Sequence, residues 1–236
     1  MNRSQARKKI LFLVGRDNWV KNNYLTHAVL QKLNLPDFKV IWEDPVGAVI
    51  YRLPRTRYGF NDLPVFIQYI GLRLIQITYG LFHWHYFGYL RSRGGSIKRR
   101  SQILQKSIQS LGEENEIIVL SFSSGGVTAS LIADKLKIKC IICIAYAFKN
   151  PGKEMEPDRY AHLKELKTPM LIIQGVNDEY GGLEIRNNYA LSSNIEVLFV
   201  DADHGFNLAE KDWEIVMTKI ENAINAGDNY GIKPAP

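Results

Sequence analysis

Six short, nearly uninterrupted runs of apolar residues recur along the chain, and they limit the fold more than any other feature. A continuous apolar run is typical of a strand buried on both faces, as in a parallel sheet, whereas a half-exposed strand would alternate. Segments with helical spacing separate most of the runs. The pattern predicts an α/β fold with a mostly parallel central sheet of about six strands and helices on both faces. The predicted strands are residues 10–14, 38–43, 116–121, 138–146, 168–175 and 194–201.

Four predicted helices lie between or after these strands, at residues 21–33, 124–136, 182–192 and 209–224. In a parallel sheet with right-handed crossovers, the carboxyl ends of the strands meet at one edge, and active sites lie beyond that edge. The residues that directly follow each strand are therefore the first candidates for chemistry.

Composition and charge are ordinary for one globular domain spanning residues 1–236, with 46% hydrophobic and 23% charged residues. The formal net charge of +6 comes from Lys and Arg residues that are mostly scattered, without a recognised binding motif. A nucleic-acid partner is therefore not expected. The apolar run after the basic N-terminus is too short for a signal sequence, which favours a cytoplasmic location. The tail, residues 225–236, is expected to be loose.

The two cysteines, Cys140 and Cys143, have the spacing of a redox pair but lie inside an apolar run. Residues three apart in a strand point to opposite faces of the sheet. The sequence therefore predicts two separate buried thiols rather than a redox site or a disulfide framework.

Residues 45–98 interrupt the alternation, because they are too many for a simple crossover between two strands. Within them, residues 64–90 contain eight aromatic residues and one formal charge, Arg73. Several other polar side chains in this stretch oppose insertion across a membrane. Three interpretations stay open: a lid or cap over the active site, an element that contacts a membrane surface or a partner through residues 64–100, or additional core.

The segment SFSSGG stands where the third predicted strand meets a helix. A nucleophile elbow places its serine on such a sharp turn and needs small residues two positions before and after it. For Ser123 these neighbours are Ser121 and Gly125, whereas for Ser124 the first of them would be the bulky Phe122. We therefore expect Ser123 to be the nucleophile, with an ordinary helix-capping turn as the alternative.

Two later segments supply the partners that a nucleophilic serine needs. Asp178 follows the fifth predicted strand and His204 follows the sixth, so both belong to the edge that carries Ser123. A carboxylate can orient a histidine that takes the serine proton, and Glu179 is the alternative acid. The order serine, aspartate, histidine along the chain is that of α/β-hydrolases and differs from the orders in chymotrypsin and subtilisin.

At these residues the sequence resembles the α/β-hydrolase superfamily. More narrowly, it looks like the small single-domain hydrolases related to dienelactone hydrolase and to the hydrolase-like subunit of a chromatin acetyltransferase complex. The segments SFSSGG, GVND and DADHGF correspond to the elbow, the acid loop and the histidine loop of the family. The resemblance implies a catalytic triad of Ser123, Asp178 and His204. It also implies an oxyanion hole formed by the main-chain N–H groups of Arg16 and Ser124.

The same resemblance makes Gly15 and Phe122 candidate substrate-binding residues, and it implies no metal or organic cofactor. The usual His-Gly pair of the family is replaced by Val14-Gly15 in this chain. A main-chain donor after the glycine survives that change of side chain, although the side chain of Arg16 could crowd or charge the pocket.

These features predict a serine hydrolase that cleaves carboxylic esters or thioesters of a hydrophobic small-molecule substrate through an acyl-enzyme. The aromatic insertion is the reason for expecting a hydrophobic substrate. Transfer of the acyl group to an acceptor other than water stays open. The alternative is a non-catalytic α/β-hydrolase-like binding or scaffold protein that uses the insertion as its partner surface. The sequence indicates no particular oligomeric state.

Overall fold

A parallel sheet of six strands organises the chain in a computed structural model that describes residues 8–15, 23–52, 63–92 and 94–225. The strand order is β2-β1-β3-β4-β5-β6, and all neighbouring strands are parallel. The strands are β1 Lys9–Gly15, β2 Phe38–Trp42, β3 Glu116–Phe122, β4 Ile138–Ile144, β5 Met170–Gly175 and β6 Ile195–Val200. Each coincides with a predicted apolar run, so the predicted α/β fold is confirmed.

Helices connect the strands and cover both faces of the sheet. They are α1 Asn23–Lys32, α2 Pro45–Arg52, α3 Val65–Phe82, α4 His85–Ser92, α5 Ile97–Gln109, α6 Ser124–Ala133, α7 Pro157–Tyr160, α8 Ile185–Asn188 and α9 Glu210–Asn225, with a 3₁₀ turn at Ala161–Glu165. Apolar side chains of α5 and α6 pack on one face of the sheet, and those of α1 and α9 pack on the other. Helix α9 includes Asn225, the first residue of the predicted loose tail, and the rest of that tail, residues 226–236, lies outside the described part of the chain.

The two cysteines lie on opposite faces of β4, as predicted. Cys140 belongs to the core under α1 and α9, and Cys143 belongs to the core under α5 and α6. Both thiols are free and buried. Burial raises the pKa of each thiol to about 12, because the thiolate would lose its hydration.

The predicted helix at 182–192 is wrong for most of its length, since only α8, Ile185–Asn188, is helical. The chain leaves the helix at Tyr189, which has an extended backbone. The centroid of the Tyr189 ring lies 4.7 Å from that of Phe148 and 4.6 Å from that of Tyr160. Burial of this aromatic ring stabilises the extended backbone at Tyr189 by more than the local helical preference would stabilise a longer helix.

The connection from β2 to β3 crosses over β1 and contains α2 to α5. Helix α5 belongs to the main core through Leu104 and Ile108. Helices α2, α3 and α4 instead surround a small cluster of their own, made by Val46, Ile50, Leu72 and Tyr86 next to the end of β2. The segment that the sequence marked as an insertion thus builds a satellite of the fold, and its role as a lid stays a prediction.

Candidate active site

Ser123 lies at the turn between β3 and α6 with φ 51° and ψ −125°, a backbone conformation that is strained for a residue with a side chain. Its main-chain N–H donates to the carbonyl of Ile144 at 2.9 Å, which ties the turn to the end of β4. Two further non-glycine residues in the described part of the chain have positive φ, Ala145 after β4 and Phe206 after β6. Backbone strain is thus concentrated at the carboxyl edge of the sheet.

Two glycines allow this turn to fit closely between neighbouring strands. A Cβ on Gly125 would lie 2.7 Å from the carbonyl oxygen of Val14 and 2.9 Å from the Cα of Gly15, at the end of β1. A Cβ on Gly126 would lie 2.2 Å from the Sγ of Cys143 on β4. Helix α6 therefore begins directly against the strands on both sides of β3, and this contact fixes the position of Ser123.

A chain of hydrogen bonds links the three residues that the sequence proposed. The Oγ of Ser123 is 3.0 Å from the Nε2 of His204. The Nδ1 of His204 is 3.0 Å from each of the two carboxylate oxygens of Asp178. Because an ionised carboxylate only accepts hydrogen bonds, Nδ1 carries the proton and Nε2 is the acceptor for the serine hydroxyl.

The carboxylate of Asp178 is fully buried and is held by further donors. The Nε2 of Gln174 donates to Oδ2 at 2.8 Å, and the main-chain N–H of Tyr180 donates to Oδ1 at 2.8 Å. These donors replace the water that the charge loses on burial. The alternative acid, Glu179, is exposed, so the structure selects Asp178 as the histidine's partner.

Two aromatic rings lie beside the imidazole of His204. Tyr180 stacks on it with ring centroids 4.1 Å apart, and Phe122 lies 5.6 Å away. The side chain of His204 keeps 17% of its surface exposed. The imidazole is therefore fixed in orientation but reachable from outside. Asp203, the acidic residue directly before His204, instead accepts from the main-chain N–H of Gly205 at 2.8 Å.

The main-chain N–H of Ser124 is one of the two donors expected for an oxyanion hole. Ser124 is the first residue of α6, and a main-chain N–H at that position has no acceptor within its helix. Gly15 pairs in register with Phe122, so β1 ends beside the turn that carries Ser123. Arg16, the expected second donor, lies outside the described residues.

A small apolar pocket of about 30 Å³ opens beside the turn. Its walls are formed by Leu13, Val14, Leu25, Val29, Leu120, Ser121, Phe122 and Ile144. Phe122 thus lines this pocket and lies beside the imidazole of His204. Its role in binding the substrate stays a prediction.

Three residues near the site were missed by the sequence reasoning. Gln174 is the next-to-last residue of β5, and a polar side chain in an otherwise apolar strand was the signal that could have marked it. Tyr180 follows Asp178 by two residues, and no sequence signal predicted that its ring would cover the imidazole. Arg100 Nη2 lies 3.5 Å from the Oγ of Ser124, a contact between α5 and α6 that only the fold creates.

A family model described as an alpha/beta hydrolase domain matches residues 66–230, which is more than two thirds of the chain. No curated protein matches the chain. The match leaves the smaller subgroup suggested by the sequence a prediction.

Several solved structures are similar in fold. One is a membrane phospholipase A described as a bacterial virulence factor, with TM-score 0.56, 11% identity and coverage of 96% of this chain and 81% of that one. Another is a hydrolase of the alpha/beta superfamily from Xanthomonas campestris, with TM-score 0.52, 13% identity and coverage of 92% and 99%. A third is an esterase from Pyrococcus furiosus, with TM-score 0.51, 12% identity and coverage of 93% and 82%. At such identities the likeness establishes the fold alone.

Proposed function

The chain belongs to the alpha/beta hydrolase family, and on that premise we propose that it is a serine hydrolase that cleaves carboxylic esters or thioesters through an acyl-enzyme. One observation carries the proposal: the continuous chain from Ser123 Oγ through His204 to the buried carboxylate of Asp178, with every link at 3.0 Å. A hydroxyl, a base and an orienting acid in this arrangement can carry out acyl transfer.

In the first half of the reaction, His204 Nε2 takes the proton of Ser123 as Oγ forms a bond to the acyl carbon. Asp178 stabilises the imidazolium that results, because its carboxylate accepts from Nδ1. The main-chain N–H of Ser124 donates to the oxyanion of the tetrahedral intermediate, and the N–H of Arg16 is the expected second donor. His204 then gives its proton to the leaving alcohol or thiol as the bond to the acyl carbon breaks.

In the second half, a water molecule enters and His204 takes one of its protons. The resulting hydroxide attacks the acyl carbon, and the proton returns to Ser123 Oγ as the carboxylic acid leaves. The aromatic rings of Phe122 and Tyr180 beside the imidazole support a substrate whose acyl group is hydrophobic.

Covalent labelling tests the nucleophile. A fluorophosphonate probe should label the natural chain and should not label Ser123→Ala, because that variant lacks the attacking hydroxyl. Ser124→Ala is the matched control: it removes the neighbouring hydroxyl but keeps the main-chain N–H, so it should still be labelled. Equal labelling of Ser123→Ala and the natural chain, or no labelling of the natural chain, would refute the proposal in favour of a non-catalytic binding protein.

The substrate class is tested with p-nitrophenyl esters from acetyl to palmitoyl. We expect kcat/KM to be higher for longer acyl chains than for acetyl, because the proposed substrate is hydrophobic. Product analysis with added alcohols or thiols separates hydrolysis from acyl transfer, since only transfer yields a new ester or thioester.

A further inference from the structure

Helix α3, Val65–Phe82, buries two polar side chains and exposes most of its large apolar ones, unlike a typical surface helix of a soluble domain. The side chains of Gln68 and Gln76 are buried, while the large apolar residues on the other side are exposed. This outer face of α3 consists of Phe66, Ile70, Leu74, Ile77 and Leu81, and Trp84 extends it beyond the helix end. The exposed fractions of these six residues run from 50% to 75%.

The inner side of α3 packs against α2 and α4. Leu72 is buried in the cluster of α2, α3 and α4. The two buried glutamines bond locally: Gln68 Nε2 donates to the carbonyl of Leu63 at 2.8 Å, and Gln76 Oε1 accepts from the exposed Arg73 at 3.0 Å. The outer face is exposed because the other side of α3 packs against α2 and α4.

A continuous apolar stripe of this length differs from the scattered apolar residues found on soluble proteins, and it marks a binding surface. The charge around it indicates what binds. Residues 63–112 contain seven Lys or Arg residues and no Asp or Glu. Arg91, Lys98 and Arg99, which follow the outer face along the chain, are exposed. A second copy of the chain would bring like charges together, whereas anionic lipid headgroups would attract them.

The attachment of α3 to the protein decides how it can meet a bilayer. Within the described residues, α3 is the one helix long and apolar enough to cross a membrane. One side of it, however, is covered by α2 and α4, where the hydroxyl of Tyr86 donates to the buried Asp44 at 3.0 Å. That side cannot face lipid, so the helix suits the plane of the interface. Trp84, 75% exposed at the helix end, is a residue type enriched at that depth.

We propose that the chain docks peripherally on a bilayer that contains anionic lipids. The outer face of α3 enters the boundary between headgroups and acyl chains, and the basic residues of α4 and α5 contact the phosphates. Binding of this kind does not depend on the chemistry of Ser123.

Vesicle flotation tests the docking, with the full chain and Ser123→Ala measured in parallel. Both should float with phosphatidylcholine vesicles that contain about 30 mol% phosphatidylglycerol, and both should bind pure phosphatidylcholine much more weakly. Phe66→Ser/Ile70→Ser/Leu74→Ser should weaken binding by about 100-fold. The matched control is Met155→Ser/Leu183→Ser/Ile215→Ser, which removes three exposed apolar side chains elsewhere and should bind like the natural chain.

A labelled side chain keeps the test decisive if the triple variant does not fold. A solvent-sensitive fluorophore on Leu74→Cys should brighten and shift to the blue with anionic vesicles, and the same fluorophore on Ile215→Cys should not change. The native cysteines are buried and do not compete for the label.

The proposal is overturned if the natural chain does not float, or if the outer-face variant floats equally well. It is also overturned if Leu74→Cys and Ile215→Cys respond alike. Self-association that the outer-face variant abolishes, without vesicle binding by the natural chain, would assign the face to a second copy instead.

Discussion

Polar and apolar side chains are placed differently in two regions of the molecule. One is the site at the ends of β3, β5 and β6, and the other is the satellite of α2, α3 and α4. At the site, the carboxylate of Asp178 is buried but accepts hydrogen bonds from Gln174, Tyr180 and His204. In the satellite, α3 buries Gln68 and Gln76 beside the apolar cluster and exposes most of its large apolar side chains. The buried carboxylate of the first region is satisfied by groups of the chain itself, whereas the second region exposes an apolar surface that gains free energy when something covers it.

This difference has consequences for mutation. In the site region, small changes should cost activity or stability, because Ser123, His204 and Asp178 each have defined partners. On the outer face of α3, even large substitutions should weaken membrane binding and leave stability and activity nearly unchanged. Each prediction below tests one side of this comparison, or both.

The largest effect is expected from Asp178→Asn. The asparagine amide would donate to His204 Nδ1, so the proton would move to Nε2, which could no longer accept from Ser123. We expect kcat on the preferred ester to fall by about 10³- to 10⁴-fold. The thermal midpoint should change far less, because the side chain keeps its shape.

Asp203→Asn is the control for this change. Asp203 is exposed and accepts from the main-chain N–H of Gly205, so its amide variant should retain most of the activity. If Asp178→Asn also retained most of the activity, the carboxylate would not orient the histidine as proposed.

A pair of glycine-to-alanine variants compares the two regions directly. Gly126→Ala would place a methyl group 2.2 Å from Cys143 Sγ, and we expect the free energy of unfolding to fall by about 1–3 kcal/mol. Gly88→Ala on α4 meets no atom within 4 Å and should raise the free energy of unfolding by about 0.5–1 kcal/mol. Urea unfolding measures both values.

A double variant identifies the cause of the Gly126 effect. Adding Cys143→Ala removes the sulfur that the new methyl group would meet, so the loss in Gly126→Ala/Cys143→Ala should be smaller than the sum of the single losses. Strict additivity would mean that the Cys143 sulfur is not what requires a glycine, and it would point to the ring of Tyr146, whose Cδ2 would lie 2.9 Å from the same Cβ.

The strands and the positions of the site residues could be predicted because both follow from simple physics. A strand buried on both faces has to be apolar throughout, and the carboxyl ends of parallel strands meet at one edge. That is why Ser123, Asp178 and His204 could be proposed together and why the structure brings them within hydrogen-bond distance. Their catalytic roles stay predictions until the labelling experiment is done.

The contacts that depend on tertiary packing could not be predicted. Helical spacing shows which residues of α3 share a side but not which side is bound by the rest of the protein. The buried residues of α3 are Gln68, Leu72, Gln76 and Gly80, two of which are polar. In the same way, the rings around Tyr189 override a helix that the local sequence favours.

A smaller effect is expected from pH, at the half-buried His162, which contacts α6. His162 Nε2 lies 2.8 Å from the Oγ of Ser130 on α6, and burial lowers the pKa of the imidazole to about 4. In the unfolded chain a histidine titrates near 6.5. Between these values the unfolded state binds more protons, so stability should fall as the pH drops from about 6.5 towards 4.

His162→Gln removes this titration. Between pH 7 and pH 5, the thermal midpoint of the natural chain should fall further than that of the variant. If the two midpoints changed in parallel, burial of a neutral imidazole at this position would contribute nothing to the pH dependence.

The smallest effect is expected on the outer face of α3, where Leu74 and Leu72 are two residues apart and 60% and 8% exposed. Leu74→Ser should leave the free energy of unfolding within about 0.5 kcal/mol of the natural value, because little apolar surface is withdrawn from water there on folding. Leu72→Ser should lower it by about 2–4 kcal/mol, because it empties a packed position. Urea unfolding in the absence of lipid compares them. Equal losses would mean that the outer face is already covered in solution, and the membrane would then have to compete with that cover.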